Sequence, residues 1–272
     1  MTRIGRWIGS HLVLTGGLLV LLYMYIPNII VAIMSFNDSS GARNLYKFQK
    51  FTWDNWLHPC APNNLCSSVV TSIEIGLLAT IGATVIGTFA AFGLVRHRFA
   101  GRTAMNLVLF LPMATPEIVM GSSLLALFVA AGLGGQLGFW TILIAHIMFC
   151  ISFVVVTVKS RLAGLDGNLE QAAADLYANE WQTFWKVTFP LVFPGILSAA
   201  LLAFSLSFDD FIITNLNSGQ TVTFPMYVWG AAQRGVPMQV NVIGTLMFLV
   251  ALAAVIIGEV GARRRRKALA AR

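Results

Sequence analysis

Charge is what this sequence has least of: 11% of its 272 residues are Asp, Glu, Lys or Arg, 57% are hydrophobic, and its mean hydropathy is +0.76. A water-soluble domain carries about a quarter charged residues because its surface must be solvated. The shortage excludes a chain folded for water. Three cysteines are too few for a disulfide scaffold, and no Cys/His cluster has metal-ligand spacing, so no metal site is expected. The phosphate-cradling pattern GxxxxGK[ST] is also missing, so the chain does not bind ATP by that route, and no cofactor of its own is expected.

What is present is a series of hydrophobic runs. A helix needs about 20 apolar residues to cross roughly 30 Å of hydrocarbon. Six such runs occur, at 12–34, 69–94, 105–130, 139–158, 195–216 and 241–261. The first follows Arg3 and Arg6 as a signal peptide would, but it outlasts a typical h-region and no A-x-A site follows it, so it reads as a span. The expected fold is all-α, a polytopic membrane protein with six transmembrane helices in one transmembrane domain over 1–272.

Lys and Arg mark the cytoplasmic side of a span. With the N-terminus inside, the inner segments hold Arg3 and Arg6; Arg96, Arg98 and Arg102; Lys159, Arg161 and Lys186; and Arg263 to Arg266, Lys267 and Arg272. The outer ones hold Arg43, Lys47, Lys50 and Arg234. Both termini are therefore expected in the cytoplasm, in a bacterial plasma membrane. The net charge of +7 is a topology signal and gives no argument for nucleic acid. The tail GARRRRKALAAR reads as a plain stop-transfer anchor, with contact to anionic lipid as the competing reading. Cys150, in the fourth run, is a small apolar filler. Cys60 and Cys66 fall in the outer loop HPCAPNNLCSS, where a disulfide around Pro62 and two free thiols both remain open.

One polar stretch stands out, NLEQAAADLYANEWQTFWKVTFP at 168–190, inside the long cytoplasmic loop 159–194. LEQAAADL is helix-prone, and Trp181, Phe184, Trp185 and Thr188 recur at the i, i+3, i+4, i+7 spacing of an amphipathic helix. Pro190 and Pro194 are expected to stop it before the fifth span. A helix, break, helix pattern suits either a docking element for a cytoplasmic partner or a helix lying on the membrane surface.

This stretch resembles the EAA loop of permease subunits of binding-protein-dependent ABC importers. Gln171, Ala172 and Ala173 stand for E-A-A, Tyr177 for the family's glycine, and Val187, Phe189 and Pro190 for the I-x-L-P end. The resemblance implies the MetI-like transmembrane fold and a loop whose short helices insert into a groove on the ATPase. Residues Glu170, Gln171, Ala172, Ala173, Asp175, Tyr177, Trp181, Phe184, Trp185 and Pro190 would then form the ATPase coupling surface. It further implies a second homologous permease, two cytoplasmic ABC ATPases that bind and hydrolyse ATP with Mg, and an extracytoplasmic substrate-binding protein. This chain would not itself be an enzyme. Two positions depart from the pattern: Gln171 lacks the family's negative charge, and Tyr177 enters a left-handed turn only with strain. SFN at 35–37, FLPMATPEIVMGSSLL at 110–125, AHIMFC at 145–150 and FSLSFDDFIIT at 204–214 are most similar to the spermidine/putrescine branch, in its second permease subunit.

Ionisable groups within spans are costly and usually face a pathway. Glu74 and Glu259 lie near span ends and read as snorkelling, whereas no Lys or Arg lies deep in a span. Counted from the inner end, Glu117 lies about 12 residues (roughly 18 Å) along the third span and Asp209 about 14 residues (roughly 21 Å) along the fifth, a shared depth. Pro112 and Pro116 loosen the helix before Glu117. Glu117, Asp209 and Asp210 thus form a candidate anionic layer for a polyamine, with Trp229 offering an aromatic face to the cation. The competing reading has the Asp pair capping the outer end of the fifth span or bonding to a partner subunit's helix. His146 reads as an interhelical hydrogen-bonding residue. The outer segment 217–240 is long enough for a short helix. An importer of another small substrate, a stand-alone ion-coupled transporter and an intramembrane hydrolase using the Ser122/Ser123 and His146 pair are the alternatives.

Overall fold

The computed structural model describes the backbone of residues 3–38 and 47–270, with side chains over 11–38, 47–258, 260 and 261. The side chains of Arg3, Arg6, Glu259 and Arg263 to Lys267 lie outside the described residues, as do Arg43 and Arg272 altogether. The order of helices is α1 (Arg3–Met34), α2 (Asp54–Leu57), α3 (Leu65–Arg96), α4 (Arg102–Ala114), α5 (Glu117–Ala130), α6 (Phe139–Ala163), α7 (Asn168–Asp175), α8 (Glu180–Thr183), a π-helical turn (Phe184–Thr188), α9 (Phe189–Asp209), α10 (Ile212–Asn217), α11 (Phe224–Arg234) and α12 (Met238–Ala270). Among the described residues the extended pairing is limited to one isolated bridge, Asn37 with Phe51.

Among the described residues, five helical stretches are long and apolar enough to cross a membrane: His11–Met34, Leu65–Arg96, Phe139–Ala163, Glu180–Asp209 and Met238–Gly258. They coincide with five of the six expected spans. The third departs from expectation. Helices α4 and α5 meet at 108°, the geometry of a broken span or a re-entrant loop, so the depth of Glu117 cannot be counted along a straight rod. The break falls at Thr115 and Pro116, both extended; Pro116 cannot donate to a continuing helix, whereas Pro112 sits inside α4. The fifth span also differs. Its helix begins before Pro190, runs through Pro194 and ends at Asp209, with Asp210 extended before α10. Pro190 falls where the π-turn passes into α9, within the continuous helical stretch Glu180–Asp209.

The chain divides into two compact units, residues 1–66 with 228–272, and residues 67–227. The second unit is organised around α6, whose Ile142, Ala145, Cys150, Val154 and Val158 are fully buried. Lipid tails are as apolar as these side chains, so close packing rather than water exclusion holds such helices together. Gly87 shows this: a Cβ there would lie 2.7 Å from Val154 Cγ1 and 3.3 Å from the Ile151 carbonyl. Gly121 plays the same part between α5 and α10, with Ile213 Cα 3.2 Å from where its Cβ would stand.

In the first unit α1 lies along α12, with the rings of Tyr25 and Phe248 6.1 Å apart. Each residue of the SFN stretch has a task. Ser35 Oγ accepts the Trp56 indole N–H at 3.1 Å, Phe36 stacks between Phe51 and Trp56, and Asn37 Oδ1 accepts the Gln49 N–H at 2.7 Å. Buried Asn55 donates to the carbonyls of Ser35 and Asn37. Cys60 and Cys66 are joined by a disulfide, Cα to Cα 5.4 Å.

Candidate functional site: a broken pair of helices and a two-helix loop

Two helix interruptions bring acids together. Glu117 opens α5, where the positive end of the helix dipole favours a carboxylate, and its side chain is exposed. Asp209 closes α9 and is exposed; Asp210 follows it and is buried. Because α10 packs on α5, the three carboxylates lie within electrostatic reach of one another.

Asp210 and Asp209 part in environment. Asp210 Oδ2 accepts the Thr214 backbone N–H at 2.8 Å and the Thr214 hydroxyl at 2.9 Å, so the side chain caps α10 as an N-terminal capping acid does. Sequence left pathway and cap open for Asp210; the geometry uses it as a cap. His146, on α6, completes the knot. Its Nδ1 is 2.7 Å from Ser207 Oγ, and its Nε2 is 2.9 Å from Thr214 Oγ1 and 3.4 Å from Asp210 Oδ2. Thr214 has one hydroxyl hydrogen. Given to Asp210, it leaves Oγ1 to accept from His146 Nε2–H, and Nδ1 then accepts from Ser207. His146 is thus hydrogen-bonded across helices, as sequence suggests. Its ring has no nitrogen left for Ser122 or Ser123, whose hydroxyls both donate to the Val119 carbonyl, so the hydrolase pair is not assembled. Trp229 is exposed on α11 and Glu74 is exposed on α3. Among the described residues, no group of three or more His, Cys, Asp or Glu is arranged to hold a metal ion.

The 168–190 stretch forms two short helices with a sharp stop between them. Tyr177 takes φ +59°, Ala178 N–H bonds the Ala173 carbonyl at 3.0 Å, and Tyr177 N–H bonds Ala174 at 2.9 Å. This is a Schellman stop with tyrosine in the place glycine usually fills. The strain expected of Tyr177 is accepted and the break is built the same way. The side chain is 97% exposed. Asn179 and Gln182 then start α8 with a reciprocal capping box, at 2.8 and 3.1 Å.

The amphipathic face read from 181, 184, 185 and 188 is split, because 184–188 winds as a wider π-turn rather than an α-helix. Trp181 and Trp185 stay exposed, 5.7 Å apart, while Phe184 turns inward against Phe92 and Thr188 is buried. Gln171, Ala172, Asp175 and Pro190 are exposed, and Ala173 is buried. Glu170 faces its own chain: both carboxylate oxygens accept from the Arg96 guanidinium, and Oε1 also accepts from the Thr188 hydroxyl at 2.6 Å. Partial burial works to raise the Glu170 pKa, but the hydrogen bonds from Arg96 and Thr188 and the Arg96 charge outweigh it and hold the carboxyl below its ordinary range. Sequence reading missed the Arg96 partner. The two are 74 residues apart, and Arg96 had a sufficient explanation as a positive-inside charge.

Long apolar helices, two of them interrupted at exposed carboxylates, define a multi-pass membrane protein of the transporter class. The family of binding-protein-dependent transport system inner membrane components matches residues 83–266, and the chain belongs to it. Among relatives, the spermidine/putrescine transport system permease protein PotC of Haemophilus influenzae is 37% identical over 244 residues, covering 89% of this chain and 93% of that one. PotC of Escherichia coli K12 is 36% identical over 258 residues (93% and 96%), and the putrescine transport system permease protein PotI of the same strain is 36% identical over 231 (83% and 81%). A solved bacterial ABC transporter involved in import of the acidic polysaccharide alginate matches over 97% of this chain and 98% of its own at TM-score 0.62 and 18% identity, a likeness of fold.

Proposed function

We propose that this chain is the second permease subunit of an ATP-driven polyamine importer, with spermidine and putrescine as substrates. The observation that carries the reading is the meeting of Glu117, Asp209 and Asp210 at two helix breaks. Ammonium groups stripped of water need counter-charge, and Glu117 and Asp209 present it on an exposed face. Asp210 adds charge while capping α10. The relatives named for spermidine and putrescine support the same substrate class.

In this reading a second, homologous permease covers the exposed face of α5 and completes the path. Two cytoplasmic ATPases bind ATP with Mg and receive the 168–190 loop; an external binding protein delivers substrate; this chain performs no chemistry. Counting α4 and α5 as one broken span gives six crossings, which returns both termini to the cytoplasm with the Arg-rich tail. ATP-driven closure of the ATPases pulls the loop, and the spans rock between inward and outward access.

The test is uptake by Glu117→Gln and Asp209→Asn in the assembled complex. A charge-assisted contact contributes roughly 1.5–3 kcal/mol, so each variant is expected to lower uptake about tenfold or more while the complex still co-purifies. Unchanged uptake in both removes these acids from the path.

A further inference from the structure

We infer that Glu170 is a positioning residue that clasps the coupling helix to two spans, so that displacement of α7 is delivered to α3 and α9 together. The inference rests on reading 168–190 as the ATPase-docking loop. Glu170 is one residue before the E-A-A positions, and its carboxylate faces its own chain.

Helix α7 is poorly held by packing: of its eight residues Ala173 is the buried one. Two cavities, of about 540 and 580 Å³, open beside it. The first is lined by Leu165, Gly167 and Leu169 before or at the start of α7, the second by Ala174, Ala178 and Phe184 after or at its end. Arg96, Glu170 and Thr188 line both, so the clasp sits where the two spaces adjoin.

The geometry is directional. Arg96 is the last residue of α3 and presents a planar fork to both carboxylate oxygens, which fixes angle as well as distance. Thr188 is the last residue of the π-turn and is followed directly by α9. A carboxylate hydrogen-bonded to both passes a shift of α7 to each of them, and Ala173 is the one buried side chain of α7 beside it. The π-turn, whose hydrogen bonding differs from that of α9, is the place where register can change as the pull arrives.

The test uses the complete transporter in proteoliposomes, with R96E, E170R, the double swap R96E/E170R and the shape-preserving E170Q. The readout is labelled spermidine taken up per ATP hydrolysed, alongside co-purification of the ATPase. The single variants are expected to lower that ratio about fivefold or more, the scale of a coupling free energy between sites, with the ATPase retained. The swap is expected to recover most of it, which lost packing alone would not do. Should the charge reversals prevent assembly, E170Q decides by the same ratio. A wild-type ratio in E170Q, or a swap as impaired as the worse single variant, overturns the clasp. Failure of wild-type ATPase to co-purify would instead strike the docking reading itself, and wild-type ATP hydrolysis without spermidine uptake would strike the substrate.

Discussion

His146 on α6 stands 2.7 Å from Ser207 on α9 and 2.9 Å from Thr214 on α10, tying the two sides of the helix break at Asp210 to a third helix. All three side chains are buried. His146→Ala leaves Ser207 and Thr214 short of partners inside protein, at about 1–3 kcal/mol for an unsatisfied buried group. The expected result is a lower melting temperature of the purified complex. An unchanged melting temperature would show that the knot is not holding the break.

Asp209 and Asp210 are neighbours with different tasks, and their amides should separate them. Asp210→Asn keeps shape but replaces a charged cap with a neutral one, which weakens the cap by about 1 kcal/mol. Asp210→Asn is expected to lower both melting temperature and uptake; Asp209→Asn is expected to lower uptake alone. Equal melting losses would mean that Asp209 is structural too.

Trp181 and Trp185 form an exposed aromatic pair on the loop. A charge placed there is strongly disfavoured in a buried protein interface. Trp185→Glu is expected to abolish co-purification of the ATPase and, with it, uptake. Normal co-purification would place the docking surface elsewhere.

The Glu170 carboxyl lies below its ordinary range once folded, chiefly through its bonds from Arg96 and Thr188, which outweigh partial burial. A depressed folded pKa means that the unfolded state takes up protons first as pH falls. The stabilising contribution is therefore full above the ordinary glutamate value of about 4.3 and is lost as pH drops through the lower folded value. Protection of α7 amides from hydrogen exchange, corrected for intrinsic rates, is expected to be flat from about pH 8 to 5 and to fall in more acid solution. Glu170→Gln should remove that acid step.

Tyr177 holds a left-handed conformation that costs a non-glycine residue roughly 1–2 kcal/mol. Tyr177→Gly is expected to relieve part of that strain and raise the melting temperature of the loop. A drop in uptake despite the gain would assign the exposed ring to partner contact; a drop in melting temperature would contradict the strain.

Five spans were legible because a membrane helix announces itself by length and composition alone. The break at Asp210 was not, because the apolar run continues across it; that at Thr115 was legible only as a loosening by Pro112 and Pro116, and proline was an unreliable guide, since Pro194 lies inside a helix. Periodicity found Trp181 and Trp185 and misplaced Phe184 and Thr188, since a π-turn shifts every later side chain around the axis. The acids Glu117, Asp209 and Asp210 could be picked out by their cost in an apolar setting. Which of them is a cap depended on Thr214 and His146, contacts that spacing along the chain does not encode.

Uptake of labelled spermidine and putrescine, measured in cells lacking this chain and in the same cells with it restored, with excess unlabelled amino acids and sugars as competitors, decides the substrate. The expected result is an ATP-dependent signal that returns with the chain and is competed by polyamines alone. No restored uptake, or uptake competed equally by amino acids or sugars, would contradict it.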